Sequence, residues 1–236
     1  MPPSRTAFVT GATEGIGRAT AFALGRAGYA VGICARTPAK VEAVVAELRA
    51  EGISAAGAAA DVSQPEAVAQ AVAQVTGALG EIGVLVNNAG VLIARPFEEL
   101  TLEDWDTTMA TNLRSLFLVT RAVLPGMRRR REGTVVNVAS LAGRNGFAGG
   151  TAYTASKHAV LGFARSLMLE VRKEDIRVIT ICPGSVDTSM LQDQPMLHSG
   201  PRRILRPEDV ADAILAAVRL PGRALVSEID LRPTNP

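Results

Sequence analysis

The chain has 236 residues, of which 47% are hydrophobic and 20% are charged, and its formal net charge is +2. This composition is typical of a globular protein and excludes a disordered or collagen-like chain. The near balance of charge gives no electrostatic reason to expect nucleic acid as a partner, and no apolar run approaches the ~18 residues that span a bilayer. Two cysteines in apolar runs, Cys34 and Cys182, favour a reducing compartment, and we predict a cytoplasmic protein without a metal site.

Short apolar runs alternate with segments of helical period along the whole chain. Most of these runs are continuously apolar, as expected for strands that are covered by helices on both faces. Prolines stand where three of the helices are predicted to begin, at Pro38, Pro65 and Pro207. The predicted strands cover residues 7–10, 30–34, 55–60, 84–87, 134–138, 177–181 and 225–229.

Seven predicted strands alternating with six predicted helices indicate a Rossmann-like α/β fold. It would be one domain over residues 1–236, built on a doubly wound parallel seven-stranded sheet with helices on both faces. The longest segment without clear periodicity, residues 185–206, follows the sixth strand. Ligands bind at the carboxyl ends of strands in such sheets, so we predict that 185–206 is a substrate lid. A surface loop without function is the alternative.

A glycine-rich run, TGATEGIG at residues 10–17, connects the first strand to an Ala-rich helix. Glycines at these spacings allow a tight turn, close approach of the backbone to a pyrophosphate, and close packing of the helix on the strand. Its place between the first strand and the first helix predicts a dinucleotide site. A tight turn without a ligand is the alternative.

The end of the second strand indicates which dinucleotide is bound. NAD sites place an acidic residue there to hold the ribose hydroxyls, whereas NADP sites offer Arg. This strand is followed by Arg36, and no acidic residue occurs before Glu42. Because Arg36 can bind a 2′-phosphate with two parallel hydrogen bonds, the sequence favours NADP(H) over NAD(H). An Arg36 side chain that is simply solvated is the alternative.

Further motifs follow in order: NNAG at residues 87–90, Ser140 after the fifth strand, Tyr153-x-x-x-Lys157, and Pro183-Gly184 after the sixth strand. Together with the G-x-x-x-G-x-G spacing after a threonine, this pattern resembles the short-chain dehydrogenase/reductase family, and the resemblance covers residues 6–233. It implies an NADP(H)-dependent oxidoreductase that interconverts a carbonyl and an alcohol by hydride transfer.

The predicted catalytic residues are Asn112, Ser140, Tyr153 and Lys157. Tyr153 and Lys157 stand four residues apart on a helix and share a face, and a nearby lysine cation lowers the pKa of a tyrosine. The resemblance implies that Tyr153 is the general acid, Ser140 binds the substrate oxygen, Lys157 also binds the nicotinamide ribose, and Asn112 holds a relay water. The plain alternatives are a surface helix pair, a turn serine and a buried helix amide.

The resemblance also implies which loops bind the cofactor. Asp61 and Val62 would bracket the adenine, residues 88–90 would line the adenosine, and the loop after the sixth strand would hold the nicotinamide carboxamide. Glu14 departs from many NADP-preferring members, which carry a basic residue at that position. The predicted set is Gly11, Thr13, Glu14, Gly15, Ile16, Gly17, Arg36, Asp61, Val62, Asn88, Ala89, Gly90, Tyr153, Lys157, Pro183, Gly184, Val186 and Thr188.

The predicted substrate site is mostly apolar, which suits a medium-sized ketone or aldehyde. Met190 and Leu191 could instead only pack the lid onto the domain. Arg144 and residues 92–94 are further candidates for its lining. The predicted substrate residues are Ser140, Asn145, Phe147, Tyr153, Met190 and Leu191.

Two alternative functions remain at this point. The first is a 3-oxoacyl-[acyl carrier protein] reductase, which the basic run 128–131 favours and the acidic pair Glu174-Asp175 disfavours. The second is a non-catalytic NADP(H)-binding sensor, which would be favoured if Tyr153 or Lys157 were absent. Extra apolar residues in 101–127 and 152–173, which family members use for pairing, predict a homodimer or homotetramer.

Overall fold

The computed structural model describes residues 5–194 and 204–234. Its centre is a seven-stranded sheet in the order β3-β2-β1-β4-β5-β6-β7, in which every neighbouring pair is parallel. This confirms the predicted doubly wound sheet. The strands are β1 (Thr6–Thr10), β2 (Ala30–Ala35), β3 (Ala55–Ala59), β4 (Ile82–Asn87), β5 (Gly133–Val138), β6 (Ile176–Pro183) and β7 (Glu228–Leu231).

The helices begin where the prolines predict, because Pro38, Pro65 and Pro207 are the first residues of three of them. A π-helical turn (Ala110–Arg114) joins α4 to α5, and 3₁₀ turns cover Phe97–Glu99, Leu141–Gly143 and Arg172–Glu174. The α-helices are α1 (Gly15–Arg26), α2 (Pro38–Ala50), α3 (Pro65–Leu79), α4 (Leu102–Met109), α5 (Ser115–Arg130), α6 (Thr151–Val171), α7 (Ser189–Gln192) and α8 (Pro207–Val218).

The last strand differs from its prediction. Residues 225–229 were expected to form it, but β7 runs from Glu228 to Leu231. The reason is its partner: β6 extends to Pro183, which pairs with Leu231, while Leu225 is an exposed apolar residue outside the sheet. The apolar run lies next to the strand, so a prediction based on that run places the start of the strand three residues too early.

Side chains that alternate along each strand pack into two large clusters, one on each face of the sheet. On one face Val9, Ile33 and Val136 pack with residues of α1, α2 and α8. On the other face Phe8 and Leu85 pack with residues of α3, α5 and α6. Both faces of the sheet are therefore buried, which explains why its strands read as continuous apolar runs.

The direction in which successive strands are added to the sheet reverses between β1 and β4. From β1 it adds β2 and β3 on one side, and from β4 it adds β5, β6 and β7 on the other. The connections that leave the carboxyl ends of β1 and β4 consequently diverge and open a crevice, which is where ligands bind in such folds. Within the described residues, no helix is both long enough and apolar enough to cross a bilayer.

Candidate active site

The glycine-rich turn leaves β1 and begins α1 at this crevice. Gly11 has φ +63° and donates its amide to the Cys34 carbonyl at 2.7 Å. A Cβ atom on Gly17 would lie 2.2 Å from the Gly11 carbonyl oxygen, so only glycine allows the first turn of α1 to lie this close to the strand. Thr13 and Ile16 stay partly exposed beside the amino end of α1, whose free N–H groups favour an anion.

A polar clamp connects this turn to the loop after β4. The side-chain amide of Asn88 donates to the carbonyl oxygens of Thr10 and Gly11, both at 3.0 Å. In return, the Thr10 hydroxyl accepts from the backbone amides of Asn88 and Ala89, both at 3.1 Å. Thr10 is not among the predicted site residues, although its position directly before the glycine run is a signal that could have identified it. Both nucleotide loops are thus held as one unit.

Asn87, the first residue of the NNAG motif, has a structural role. Its side-chain amide donates to Thr120 Oγ1 and to Asn137 Oδ1, both at 3.0 Å, and the residue is buried at the end of β4. It therefore holds the strand ends and does not face the crevice.

The charged groups at the end of β2 include one cation that sequence reasoning missed. Arg36 is exposed and, among the described residues, forms no ion pair or side-chain hydrogen bond. Lys40, in the first turn of α2, lies with its Nζ 3.6 Å from a carboxylate oxygen of Glu14. The other oxygen of Glu14 accepts from Ser189 Oγ at 3.0 Å. The acid that departs from the family pattern is therefore offset by a neighbouring lysine.

The remaining predicted cofactor residues lie on loops at the same edge of the sheet. Asp61 Oδ1 accepts from the amide and the hydroxyl of Ser63, which fixes the turn after β3, and Val62 is buried behind it. The Gly184 amide donates to the Leu231 carbonyl at 2.8 Å, so β7 supports the Pro183-Gly184 corner.

The two ends of the segment that follows this corner are hydrogen-bonded to each other. Val186 forms a parallel bridge with Leu205, and the Leu205 amide donates to the Ser185 carbonyl at 2.9 Å. A Cβ atom on Gly15 would lie 3.1 Å from Thr188 Cγ2, so the segment begins beside the glycine turn. The predicted lid, 185–206, contains α7 within its first part, and residues 195–203 of it lie outside the described residues. Four helical residues are too few to give a periodic signal, which is why α7 was not predicted.

The structure brings Ser140, Tyr153 and Lys157 together at the carboxyl end of β5. Ser140 precedes the 3₁₀ turn Leu141–Gly143, and its Oγ accepts from the Ala142 amide at 3.0 Å. The Tyr153 side chain is hydrogen-bonded to Ser140. One turn further along α6, Lys157 Nζ lies 5.6 Å from the centre of the Tyr153 ring and donates to the Val138 carbonyl at 3.0 Å.

Burial dominates the ionisation of this pair. It raises the pKa of Tyr153, against the smaller opposing effect of the hydrogen bond from Ser140. It lowers the pKa of Lys157 to about 8. The Lys157 ammonium group donates to the Val138 carbonyl, and the causes that act on the Tyr153 pKa here are burial and Ser140, so the lowering of this pKa by Lys157 stays a prediction.

Asn112 lies within the π-helical turn between α4 and α5, and π-helical turns are frequent at functional sites. Its Oδ1 accepts from the Val91 amide at 2.7 Å, while its Nδ2 donates to the Val91 carbonyl at 2.9 Å and to Ser156 Oγ at 3.0 Å. Both N–H groups of the amide are therefore used, and only one lone pair of Oδ1 is left for the predicted relay water. The Asn112 side chain therefore holds the loop after β4 through the backbone of Val91.

Three loops meet in front of these residues and enclose the predicted substrate site. Phe147 contacts Tyr153 edge-on, with ring centres 6.3 Å apart. The Arg95 amide donates to the Gly149 carbonyl at 2.9 Å, and the Ala94 amide donates to Gln194 Oε1 at 3.1 Å. Gln194 was missed because only the fold brings it to the loop after β4.

The other predicted substrate residues divide between the cleft and the surface. Met190 and Leu191 on α7 and residues 92–94 are half-buried, as an apolar lining requires, and Asn145 is exposed. The guanidinium of Arg144 lies against Glu228 and Asp230 on β7, and its part in lining the substrate stays a prediction.

Comparison with known proteins decides the family. A family model described as short chain dehydrogenase matches residues 5–196. The chain belongs to the short-chain dehydrogenase family. Its membership confirms the resemblance and the oxidoreductase class that the motifs predicted.

Three similar proteins illustrate the range of the family. The monensin polyketide synthase putative ketoacyl reductase of Streptomyces virginiae is 46% identical over 191 residues, which are 80% of this chain and 73% of that protein. The 3-oxoacyl-[acyl-carrier-protein] reductase FabG of Pseudomonas aeruginosa is 38% identical over 81% of this chain and 77% of its own length. The structure of a single-substitution variant of actinorhodin polyketide ketoreductase with NADPH has a TM-score of 0.91 and 32% identity, covering 98% of this chain and 96% of that one.

Proposed function

We propose that this short-chain dehydrogenase is an NADP(H)-dependent oxidoreductase that interconverts a ketone or aldehyde and the corresponding alcohol, with Tyr153 as proton donor in reduction. The observation that carries this proposal is the meeting of Ser140, Tyr153 and Lys157 at the carboxyl end of β5, with Lys157 Nζ 5.6 Å from the centre of the Tyr153 ring and Phe147 edge-on to that ring. Two hydroxyl groups that are hydrogen-bonded to each other at a cleft can both reach one substrate oxygen.

The chain's own residues fit a dinucleotide phosphate. The close packing at Gly11 and Gly17 leaves the backbone bare beside the amino end of α1, which favours a pyrophosphate. Arg36 and Lys40 are exposed cations at the end of β2 and the start of α2, where a 2′-phosphate would be recognised. When bound, the cofactor supplies or accepts the hydride.

Proton handling belongs to the protein. In reduction, the Tyr153 hydroxyl gives its proton to the oxygen of the former carbonyl, and Ser140 donates a hydrogen bond to the same oxygen. A tyrosine phenol carries its proton at neutral pH and can therefore donate it in the reductive direction. Lys157 is placed to offer positive charge to the tyrosinate left after transfer, and Asn112 holds the loop beside it.

The substrate is proposed to be a medium-sized apolar ketone or aldehyde. Phe147 contacts Tyr153, and the other residues predicted to line the site, Met190, Leu191 and 92–94, are apolar and half-buried. The names of the similar ketoacyl reductases favour a 3-oxoacyl thioester as the second candidate. The basic run 128–131 gives that candidate little support, since Arg129 and Arg130 pair with Glu81, and Arg128 pairs with Glu174. An acidic carrier protein would have to compete with these internal pairs.

The deciding experiment measures oxidation of NADPH and of NADH by absorbance across ketones, aldehydes, quinones and 3-oxoacyl thioesters. We expect turnover with NADPH and an apolar ketone or aldehyde, and Tyr153→Phe should abolish it while the affinity for NADPH stays nearly unchanged. Turnover only with thioesters would favour the second candidate. Tight NADPH binding without turnover on any substrate would contradict the enzyme and favour a sensor on the same fold.

We also propose that the chain forms a homodimer through the groove between α4, α5 and α6. Phe117, which is 44% exposed, lines this groove together with Met109, Leu113 and Phe163. Sedimentation of wild type and of Phe117→Glu tests this: the variant should sediment as a monomer at concentrations where wild type is dimeric. A monomeric wild type would contradict it.

Three further assignments complete the proposal. The chain is taken as one catalytic domain, and 185–206 as the lid of its substrate site, with its two ends joined by the Val186–Leu205 bridge. Cytoplasmic location is supported by Cys34 and Cys182, which are both free and buried. Limited proteolysis with and without NADPH checks the lid, since closure over a bound cofactor should protect it from cleavage.

A further inference from the structure

Glu228 on β7 accepts hydrogen bonds from two arginines of different elements. Arg165 binds it with two contacts, Nε at 2.7 Å and Nη2 at 3.2 Å. Arg144 Nη2 lies 2.5 Å from Glu228 Oε2, and Arg144 Nε lies 3.1 Å from Asp230 Oδ1. The side chains of Arg144 and Glu228 are 24% and 21% exposed, so water and salt screen this cluster less than an ordinary surface pair.

Each arginine belongs to an element that carries a proposed catalytic residue. Arg144 directly follows the 3₁₀ turn that begins after Ser140. Arg165 lies on α6, the helix of Tyr153 and Lys157. Glu228 is therefore the point at which the Ser140 turn, α6 and the edge of the sheet are joined, although it contacts no reacting group itself.

The Ser140 turn packs against α6, since a Cβ atom on Gly143 would lie 2.9 Å from the Lys157 carbonyl oxygen, and its polar contacts add to this packing. The contact from Ser140 Oγ to the Pro183 carbonyl is 3.5 Å, longer than an ordinary hydroxyl hydrogen bond. Its contact with the Ala142 amide lies within the turn and does not fix the turn relative to α6. Of the groups described, the Arg144 guanidinium makes the strongest polar contacts between this turn and the rest of the protein.

We propose that Glu228 is a positioning residue, which holds the Ser140 turn through Arg144 and helix α6 through Arg165 at the separation that keeps Ser140 hydrogen-bonded to Tyr153. The proposal rests on the proposed function, because it assigns proton donation to Tyr153. Its effect on the reaction runs entirely through the Ser140–Tyr153 pair.

The pKa of Tyr153 separates positioning from a simple charge effect. Any direct effect of removing the negative charge of Glu228 would be to lower the pKa of Tyr153, since an anion disfavours the phenolate. Loss of the hydrogen bond from Ser140 has the opposite sign, because that bond lowers the Tyr153 pKa. A rise of this pKa in Glu228→Gln therefore reports displacement of Ser140.

The sequence makes this measurement direct. It contains two tyrosines, Tyr29 and Tyr153, so a Tyr29→Phe background leaves Tyr153 as the sole phenol. Phenolate absorbance is titrated in this background for the parent, Glu228→Gln and the control Glu51→Gln. Glu51 forms a similar two-contact pair with Arg26, at 2.8 Å and 2.7 Å, on the outer surface of α1 and α2. Steady-state kinetics with NADPH and the best ketone, and thermal unfolding, are measured on the same proteins.

We expect Glu228→Gln to raise the Tyr153 pKa and to lower kcat by about ten- to a hundredfold, as small displacements of a reacting group do, with NADPH affinity within about twofold of the parent. Glu51→Gln should leave both the pKa and kcat unchanged. An unchanged or lowered Tyr153 pKa with the kcat of the control would overturn the proposal.

A second variant keeps the proposal testable if Glu228→Gln folds poorly. Glu228→Asp keeps the charge but is too short to reach both arginines, and it should raise the pKa and lower kcat in the same sense. A folded Glu228→Asp with the parent's pKa and kcat would also overturn the proposal. If the parent turns over no substrate, the proposed function fails, while the titration still decides the role of Glu228.

Discussion

Asn112 and Val91 form two hydrogen bonds in opposite directions, side chain to backbone, at 2.7 Å and 2.9 Å. The Asn112 side chain thus binds a loop 21 residues earlier through a reciprocal pair of hydrogen bonds, as the backbones of two neighbouring strands do. The loop so held passes Gly90, where a Cβ would lie 3.2 Å from Asn112 Oδ1 and 3.7 Å from Lys157 Nζ. The amide therefore fixes the backbone that lies beside Lys157.

Replacing Asn112 with Ala should damage both stability and activity. The part-buried amide and carbonyl of Val91 lose their partner, and a group left unsatisfied away from water costs about 1–3 kcal/mol. The loop beside Lys157 then relaxes, and we expect kcat to fall more than about tenfold. Urea unfolding and steady-state kinetics measure the two effects, and a variant with the parent's unfolding midpoint and kcat would remove Asn112 from the site.

Two glycines in helices allow a matched test of the dinucleotide turn. In Gly17→Ala the new Cβ would meet the Gly11 carbonyl at 2.2 Å, so the turn must open, at a cost of about 1–3 kcal/mol and with loss of NADPH affinity. In Gly77→Ala on α3 the new methyl meets nothing within 4 Å, and helix propensity should stabilise the protein by about 0.5–1 kcal/mol. Thermal unfolding and fluorescence titration with NADPH compare them. Equal NADPH affinity in both variants would exclude close approach at Gly17.

Cofactor preference is tested at Arg36. A charged hydrogen bond to a 2′-phosphate is worth about 1.5–3 kcal/mol, so Arg36→Asp should reduce the ratio of kcat/KM for NADPH over NADH by about ten- to a hundredfold or more. Arg223→Asp, at an exposed loop position remote from β2, makes the same charge change and should leave the ratio unaltered. If both variants keep the parent's ratio, a group other than Arg36 recognises the 2′-phosphate, and Lys40 is the first candidate.

The buried lysine predicts how stability depends on pH. The pKa of Lys157 is about 8 in the folded protein against the ordinary 10.5. Between these values the unfolded chain binds more protons than the folded one, so the free energy of unfolding rises with pH across this window. Relative to Lys157→Met, the gain should reach about 3 kcal/mol at its upper end and vanish below pH 8. Urea unfolding at several pH values measures it, and a constant difference would mean that Lys157 titrates normally.

Local pattern was enough to predict what depends on local geometry. Continuous apolar runs placed the strands, prolines placed three helix starts, and the four-residue spacing placed Tyr153 and Lys157 on one face of α6. The glycine run was predicted because its spacing itself determines the turn. In each case the signal lies within a few residues of the feature.

What the sequence did not predict depends on contacts between distant segments. The pair between Arg144 and Asp230 joins residues 86 positions apart. Lys40 acquires its role from Glu14, which belongs to a different loop. The boundary of β7 follows the length of β6 and not its own apolar residues. No periodicity within one segment carries such information.

The bridge between Val186 and Leu205 has a consequence for protein engineering. Because the segment 185–206 starts and ends at one paired position, a replacement that keeps this pair should leave β6 and α8 in place. We expect a chimera that carries the corresponding segment of a ketoacyl reductase to fold, and the substrates that it accepts would show whether the segment selects them.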